Sequence, residues 1–159
     1  MKIEDIVKSS SPLALEKRTI LNVMFTQNII GERLSEVMKE HDLSLEQFNV
    51  LRILRGQKGC PVNMTLIQER MIARTSNTTR LVDKLEAKSL VTRNVCPDNR
   101  RKMEVLITPK GLQLLAAVDP KVQEVESLFT TQLSPEELEH LNDLLEKLRG
   151  DVCPSKKSN

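Results

Sequence analysis

Ser76, Asn77, Thr79, Arg80 and Lys84 fall within nine residues, Thr75 precedes them, and Arg100, Arg101 and Lys102 follow as an unbroken basic run. Hydroxyls, a carboxamide and cations are recognition chemistry. No nucleophile–base set, metal-ligand cluster or phosphate-binding glycine loop accompanies them, so neither an enzyme nor a bound metal or cofactor is expected. Arginine can grip O6 and N7 of guanine with two hydrogen bonds, and asparagine can grip N6 and N7 of adenine in the same way. Arg80 and Asn77 are therefore candidate readers of base edges, while Lys84 and the hydroxyls of Ser76 and Thr79 suit phosphate oxygens. Thr75 and the basic run 100–102 complete the candidate DNA-binding set. Asp83 lies among these groups; it either orients Arg80 or accepts from a cytosine amino group.

Two elements must position these groups. A helix starting near Thr75 and running to about Lys88 puts Thr78, Leu81, Val82 and Leu85 on one face and Ser76, Asn77, Arg80, Asp83 and Lys84 on the other, at 100° per residue. Val91–Cys96 and Met103–Thr108 read as strands rich in β-branched residues, joined through Pro97-Asp98-Asn99. A basic hairpin tip beside a major-groove helix can reach into the neighbouring minor groove. Upstream, Thr65-Leu-Ile-Gln68 is a capping box that opens a short helix to about Met71. Helix, helix, strand, basic hairpin is the order of a winged helix-turn-helix. Residues 65–102 hold nine Lys/Arg against four Asp/Glu, an excess of five, whereas the rest of the chain holds fifteen against eighteen. Positive charge is thus concentrated where phosphate counterions would be displaced.

The remaining elements frame this unit. Residues 1–12 are a weakly structured arm. Leu13 to His41 reads as one long helix, with Ile20, Val23, Met24, Ile30, Leu34, Val37 and Met38 near helical spacing. Ser44-Leu-Glu-Gln47 caps a helix to about Arg55, which Gly56, Gly59 and Pro61 end; an edge strand is possible at 61–64. Thr108-Pro109 opens a helix expected to break at Asp119-Pro120. Ser134-Pro135-Glu136-Glu137 caps a last helix to about Arg149, and a frayed tail follows. Only Phe25, Phe48 and Phe129 are aromatic, so the core must be aliphatic and the fold mainly α with a small β wing. The same scarcity leaves little surface on which single-stranded bases could stack. No apolar run approaches a membrane span, and the three cysteines, Cys60, Cys96 and Cys153, have neither metal spacing nor an even count, so a cytoplasmic protein is expected.

The chain resembles the MarR (multiple antibiotic resistance regulator) family of transcription factors. The likeness lies in LSLEQFNVLRIL at 43–54, SNTTRLVDKLEAKSLVTR at 76–93 and PDNRRKMEVLITPKG at 97–111, and it covers roughly residues 13–150. It implies a homodimer in which N- and C-terminal helices of two subunits interleave and two winged domains read a pseudo-palindromic operator. Recognition helices would then sit about 34 Å apart, one turn of DNA. The expected organisation is an arm and dimerisation helix at 1–43, a DNA-binding domain at 44–108, C-terminal dimerisation helices at 109–150 and a tail at 151–159. Leu138, Leu141, Leu145 and Leu148 step as a heptad-like seam with Leu144 beside it. The resemblance further implies a repressor released by a small-molecule effector, held between the dimer helices and the winged domain, where Arg18 or Arg33 could meet a carboxylate. The alternative is a winged-helix protein–protein module that binds no DNA.

Three departures bear on mechanism. Ser89 stands where the family commonly has Gly after the recognition helix. The wing's acid–arginine pattern fits with either Asp98 or Asn99 in the acid position, which leaves open whether Arg100 or Arg101 enters the minor groove. The family's oxidant sensors use a cysteine in the first helix, and this chain has none there. Cys96 beside the wing reads as a small apolar strand residue, with coupling of its oxidation to DNA release as the other reading.

Overall fold

A computed structural model describes residues 1–72, 77–96 and 99–150. The chain divides into two compact units, residues 1–123 and residues 124 onward. The first unit begins with α1 (Ile3–Ile6) and the long α2 (Leu15–Glu40), continues through α3 (Leu45–Arg55), β1 (Val62–Asn63), α4 (Met64–Arg70), α5 (Thr78–Ala87), β2 (Val91–Cys96) and β3 (Asn99–Ile107), and includes most of α6 (Pro109–Thr130); α7 (Pro135–Arg149) belongs to the second. The architecture is mainly helical with one small antiparallel sheet in the order β1-β3-β2, as expected. No described helix is long and apolar enough to cross a membrane.

Local chemistry explains most boundaries. Ser44 Oγ accepts from the Gln47 amide at 3.2 Å while Gln47 Oε1 accepts from the Ser44 amide at 3.0 Å. Two of the orphan donors at the helix start are thereby satisfied. Ser134 and Glu137 form the same reciprocal box at the start of α7. Thr108 Oγ1 accepts from the Gly111 amide at 3.0 Å and caps α6, with Pro109 following.

Four expectations need correction. The arm holds a helical turn, and Ile3 is buried. Helix α4 starts at Met64 rather than at Thr65-Leu-Ile-Gln68, because Asn63 Oδ1 accepts from the Leu66 amide at 2.8 Å and supplies the cap. Strand β3 starts at Asn99, which pairs with Cys96 across an irregular step, so the basic run lies within a strand. Helix α6 runs unbroken through Pro120. A proline inside a helix costs about 3 kcal/mol or more. Here Pro120 and Ala116, whose carbonyl loses its donor, are both exposed, so water can take the bond. Leu115, Val118 and Val122 are buried on the other face. Each contributes about 1.5–3 kcal/mol, enough to outweigh the break. Asp119 also bonds Arg55 of α3, at 2.5 and 3.3 Å.

The core is aliphatic. Met38 of α2, Val50, Leu51 and Leu54 of α3, Ile67 of α4, Val82 and Leu85 of α5, Leu90 and Val91, Val105 of β3, and Leu115 and Val118 of α6 form one buried cluster with Phe48 as its aromatic member. The sheet joins it in register, with Val62 opposite Val105 and Val91 opposite Ile107. After α5 the chain turns through Ser89 at φ 61°. That left-handed geometry is the one glycine adopts without strain, and serine tolerates it here at a cost of about 1–2 kcal/mol.

The start of α6 presses against that turn. A Cβ on Gly111 would lie 2.4 Å from the Leu90 carbonyl oxygen and 2.8 Å from Ile107 Cγ1. Backbone cannot yield as a side-chain tip can, so Gly111→Ala is expected to lower stability by about 1–3 kcal/mol, measured by urea unfolding. An unchanged midpoint would show that the α5–β2 turn is not seated against α6.

Candidate nucleic-acid interface

Helix α5 sits in the core by one face. Thr78 is 6% exposed, Val82 and Leu85 are fully buried, and Leu81 packs against the cluster. The opposite face carries Thr79, Arg80, Asp83 and Lys84, all exposed. Within the helix, Thr78, Leu81, Val82 and Leu85 and the opposed Arg80, Asp83 and Lys84 fall as the helical projection assigns them. Its N-terminus differs: Asn77 is the N-cap, with φ −130° and ψ 39°, and is not part of the helix proper. Asn77 is exposed and its side chain makes no cap hydrogen bond, so its carboxamide is not engaged in capping α5. Thr75 and Ser76 lie outside the described residues. The backbone of Arg100, Arg101 and Lys102 lies in β3, and their side chains, like that of Cys96, are outside the described set. Among the described residues no ion pair involves Arg80 or Lys84.

Asp83 does not orient Arg80. Its Oδ1 lies 2.7 Å from NH1 of Arg93 on β2. Glu86, one helical turn further, takes Nε of the same guanidinium at 2.9 Å, NH2 at 2.7 Å and the Arg93 amide at 3.2 Å. Hydrogen bonding from Arg93, with its positive charge, holds the Glu86 carboxyl below the usual carboxylate range, and Glu86 followed by Asp83 keeps the guanidinium firmly protonated. Sequence reasoning counted Arg93 only as charge. The available signal was two acids spaced i, i+3 on the helix followed by an arginine at an inward position of the next strand.

The far end of α5 is held by backbone acceptors. Lys110 Nζ donates to the Lys88 carbonyl at 2.9 Å, and Thr108 Oγ1 donates to the Ser89 carbonyl at 2.8 Å. Lys88 Nζ in turn binds the Asp42 carbonyl and lies 2.9 Å from its carboxylate, just past the end of α2. No group of three or more His, Cys, Asp or Glu suited to a metal occurs among the described residues. Beside α2, Gln27, Asn28, Glu32, Ser35 and Lys39 line an open groove of about 360 Å³ that reaches Leu45. Its lining is mostly polar. Arg18 pairs with Glu4 and Arg33 with Glu36, so both arginines expected to meet a ligand carboxylate have partners within the chain.

Residues 43–103 match the model of the MarR family. That segment of the chain is similar to the MarR family. The HTH-type transcriptional regulator MhqR of Bacillus subtilis (strain 168) is 29% identical over 120 residues, covering 75% of this chain and 81% of that protein. The crystal structure of a MarR transcription factor from Planctomyces limnophilus superposes with a TM-score of 0.67 at 29% identity, over 86% of this chain and 98% of the other. The structure of Bordetella bronchiseptica BpsR gives a TM-score of 0.75 at 21% identity, over 88% and 99% of the two chains. Together with the family match these place the fold among MarR winged helices.

The Glu86–Arg93 contact has a pH signature. A carboxyl whose folded-state pKa is depressed adds stability above its unfolded pKa and loses it as pH falls through the folded one. Glu86→Gln is therefore expected to lower the melting temperature at neutral pH, by a difference that shrinks as pH falls through and below the ordinary carboxylate range. Thermal melts across pH check this, and a pH-independent difference would mean that the contact acts by shape alone.

Proposed function

We propose that this chain is a transcriptional regulator that binds double-stranded DNA sequence-specifically, as a homodimer on a pseudo-palindromic operator, and acts as a repressor released by a small-molecule effector. The observation that carries the reading is the division of α5: one face buried in the core, the other exposing Thr79, Arg80 and Lys84 from a rigid seat, with Asn77 at its entrance. In this reading α5 enters the major groove, Arg80 and Asn77 meet base edges, Thr75, Ser76, Thr79 and Lys84 meet phosphates, and Arg100, Arg101 and Lys102 reach the adjoining minor groove. Residues 44–108 are then the DNA-binding domain.

Dimerisation through residues 1–43 and 109–150 is supported by apolar surface left bare in one chain. On α2, Leu15 is 71% exposed and Met24 61%, with Ile20 and Val23 exposed nearby. On α7 no residue is buried, and Leu141 and Leu148 of the leucine seam are exposed, as is Leu144 beside it. Contiguous aliphatic residues on long helices signal a protein partner, and identical chains form two-fold dimers more often than any other assembly. Effector release is supported by a structural neighbour: the BpsR structure concerns regulation of its DNA binding by 6-hydroxynicotinic acid.

Binding of the full chain to genomic duplex fragments, followed by sequencing and a salt series on the selected site, tests the proposal. A steep log–log loss of affinity with salt is expected, and no binding at low salt would sink it. Arg80→Ala should cost about 1–3 kcal/mol on the preferred site and relax base preference; an equal loss on every sequence would assign Arg80 to phosphate. Arg100→Ala with Arg101→Ala should flatten the salt slope, and an unchanged slope would remove the wing from the interface.

A further inference from the structure

The sheet order β1-β3-β2 leaves β2 on the edge of the sheet. Val91, Arg93 and Val95 share one face of β2 by the period of two. Val91 is 1% exposed, whereas Val95 is 52% exposed, so apolar packing holds the base of the strand and has ended before its tip. Arg93 stands between them. Its amide, at the sheet edge, donates to Glu86 Oε1, and all three guanidinium nitrogens are occupied: Nε and NH2 by Glu86, NH1 by Asp83. The side chain is only 24% exposed, while Asp83 is 49% exposed on the same face as Arg80 and Lys84. Without its partner, Asp83 would present an unscreened negative charge to phosphate and repel Glu86 one turn away.

We infer that Arg93 is a positioning residue for DNA recognition: it locks the wing's first strand to the reading helix and screens Asp83 at the face that meets the phosphates. The inference rests on the DNA-reading function proposed above. Arg93 acts through its two carboxylates and does not itself contact DNA. Lysine cannot replace it, because a single ammonium cannot make the forked contacts that span both acids. The depressed Glu86 carboxyl supports the same geometry, since it keeps both ends of the tie charged.

The test uses the full chain as wild type, Arg93→Lys, Arg93→Met, and Arg93→Met combined with Asp83→Asn, each shown by thermal melting to be folded at the working temperature. Amide hydrogen exchange without DNA reports the tie directly, and faster exchange confined to the wing strands is expected for both single variants. Binding is measured on the duplex fragment that wild type selects and on unrelated duplex, across a salt series. Arg93→Met should weaken both by at least about tenfold. Adding Asp83→Asn, which restores the net charge, should recover much of that loss and the wild-type salt slope. Arg93→Lys should lose affinity although its charge is unchanged. Wild-type affinity in Arg93→Lys and Arg93→Met overturns the inference. So does a slope that drops by about one in Arg93→Met and stays down in the double variant, because Arg93 would then be a phosphate contact. Wild type that binds no duplex overturns the regulator reading itself, whereas wild type that binds beside unaffected variants overturns only the role of Arg93.

Discussion

The burial of Val82 and Leu85 beneath α5 is the constraint on which the rest of the structure depends. Both are fully buried, in a cluster that includes Leu51, Leu54, Ile67, Leu90, Val91 and Val105. A helix turns 100° per residue, so Arg80 and Lys84, each two positions from Val82, lie about 200° away from it. Their direction is therefore set by packing they take no part in. Because the core is almost wholly aliphatic, no single large ring carries that burden. Each residue contributes about 1.5–3 kcal/mol, and the angle of the reading face reflects their joint fit.

The second end of α5 is fixed by hydrogen bonds rather than by apolar contact. Three successive carbonyls after the helix, those of Lys88, Ser89 and Leu90, accept from Lys110 Nζ, Thr108 Oγ1 and the Thr108 amide. The start of α6 is thus docked onto the turn that ends the reading helix, and the close approach of Gly111 to the Leu90 carbonyl follows from the same docking. The ion pair of Lys88 with the exposed Asp42 carboxylate adds little by comparison, about 0–1 kcal/mol for a surface pair. What gives Lys88 its position is the backbone it spans, from the Asp42 carbonyl past α2 to its own carbonyl bonded from α6.

The features legible in the sequence were those decided within a few residues. The reciprocal boxes at Ser44 and Ser134, the cap at Thr108 and the α5 face depend on local spacing alone. The errors arose where a local signal met a competing or distant one. Thr65 read as the cap of α4, but Asn63, two residues earlier, takes the position. Pro120 signalled a break, but Leu115, Val118 and Val122 hold both sides of it in one core, which one-dimensional spacing cannot show. Asp83 was adjacent to Arg80 by helical spacing, yet its partner lies ten residues on in β2, reached only once the turn at Ser89 brings the strand back. The bare aliphatic faces of α2 and α7 were legible as stripes, but the period of a stripe is the same whether its own chain or a second copy covers it.

Some of the described cations are tied to the chain's own carboxylates, and others, Arg80 and Lys84 among them, are not. Arg18, Arg33, Arg55, Lys88, Arg93, Lys121 and Arg149 each meet a carboxylate of the chain itself. Arg80 and Lys84 do not, among the described residues, although Asp83 stands between them in sequence. The nearest acid on their own helix face is turned toward Arg93, and this leaves their charge available to an external anion. Residues 65–102 carry an excess of five positive charges, and the Asp83–Glu86–Arg93 cluster accounts for one negative charge within that total, so the remainder of the segment carries six. The cluster that binds helix to strand therefore also keeps acid away from the cations beside it. One arrangement of three side chains sets both the geometry and the field of the face proposed to meet DNA.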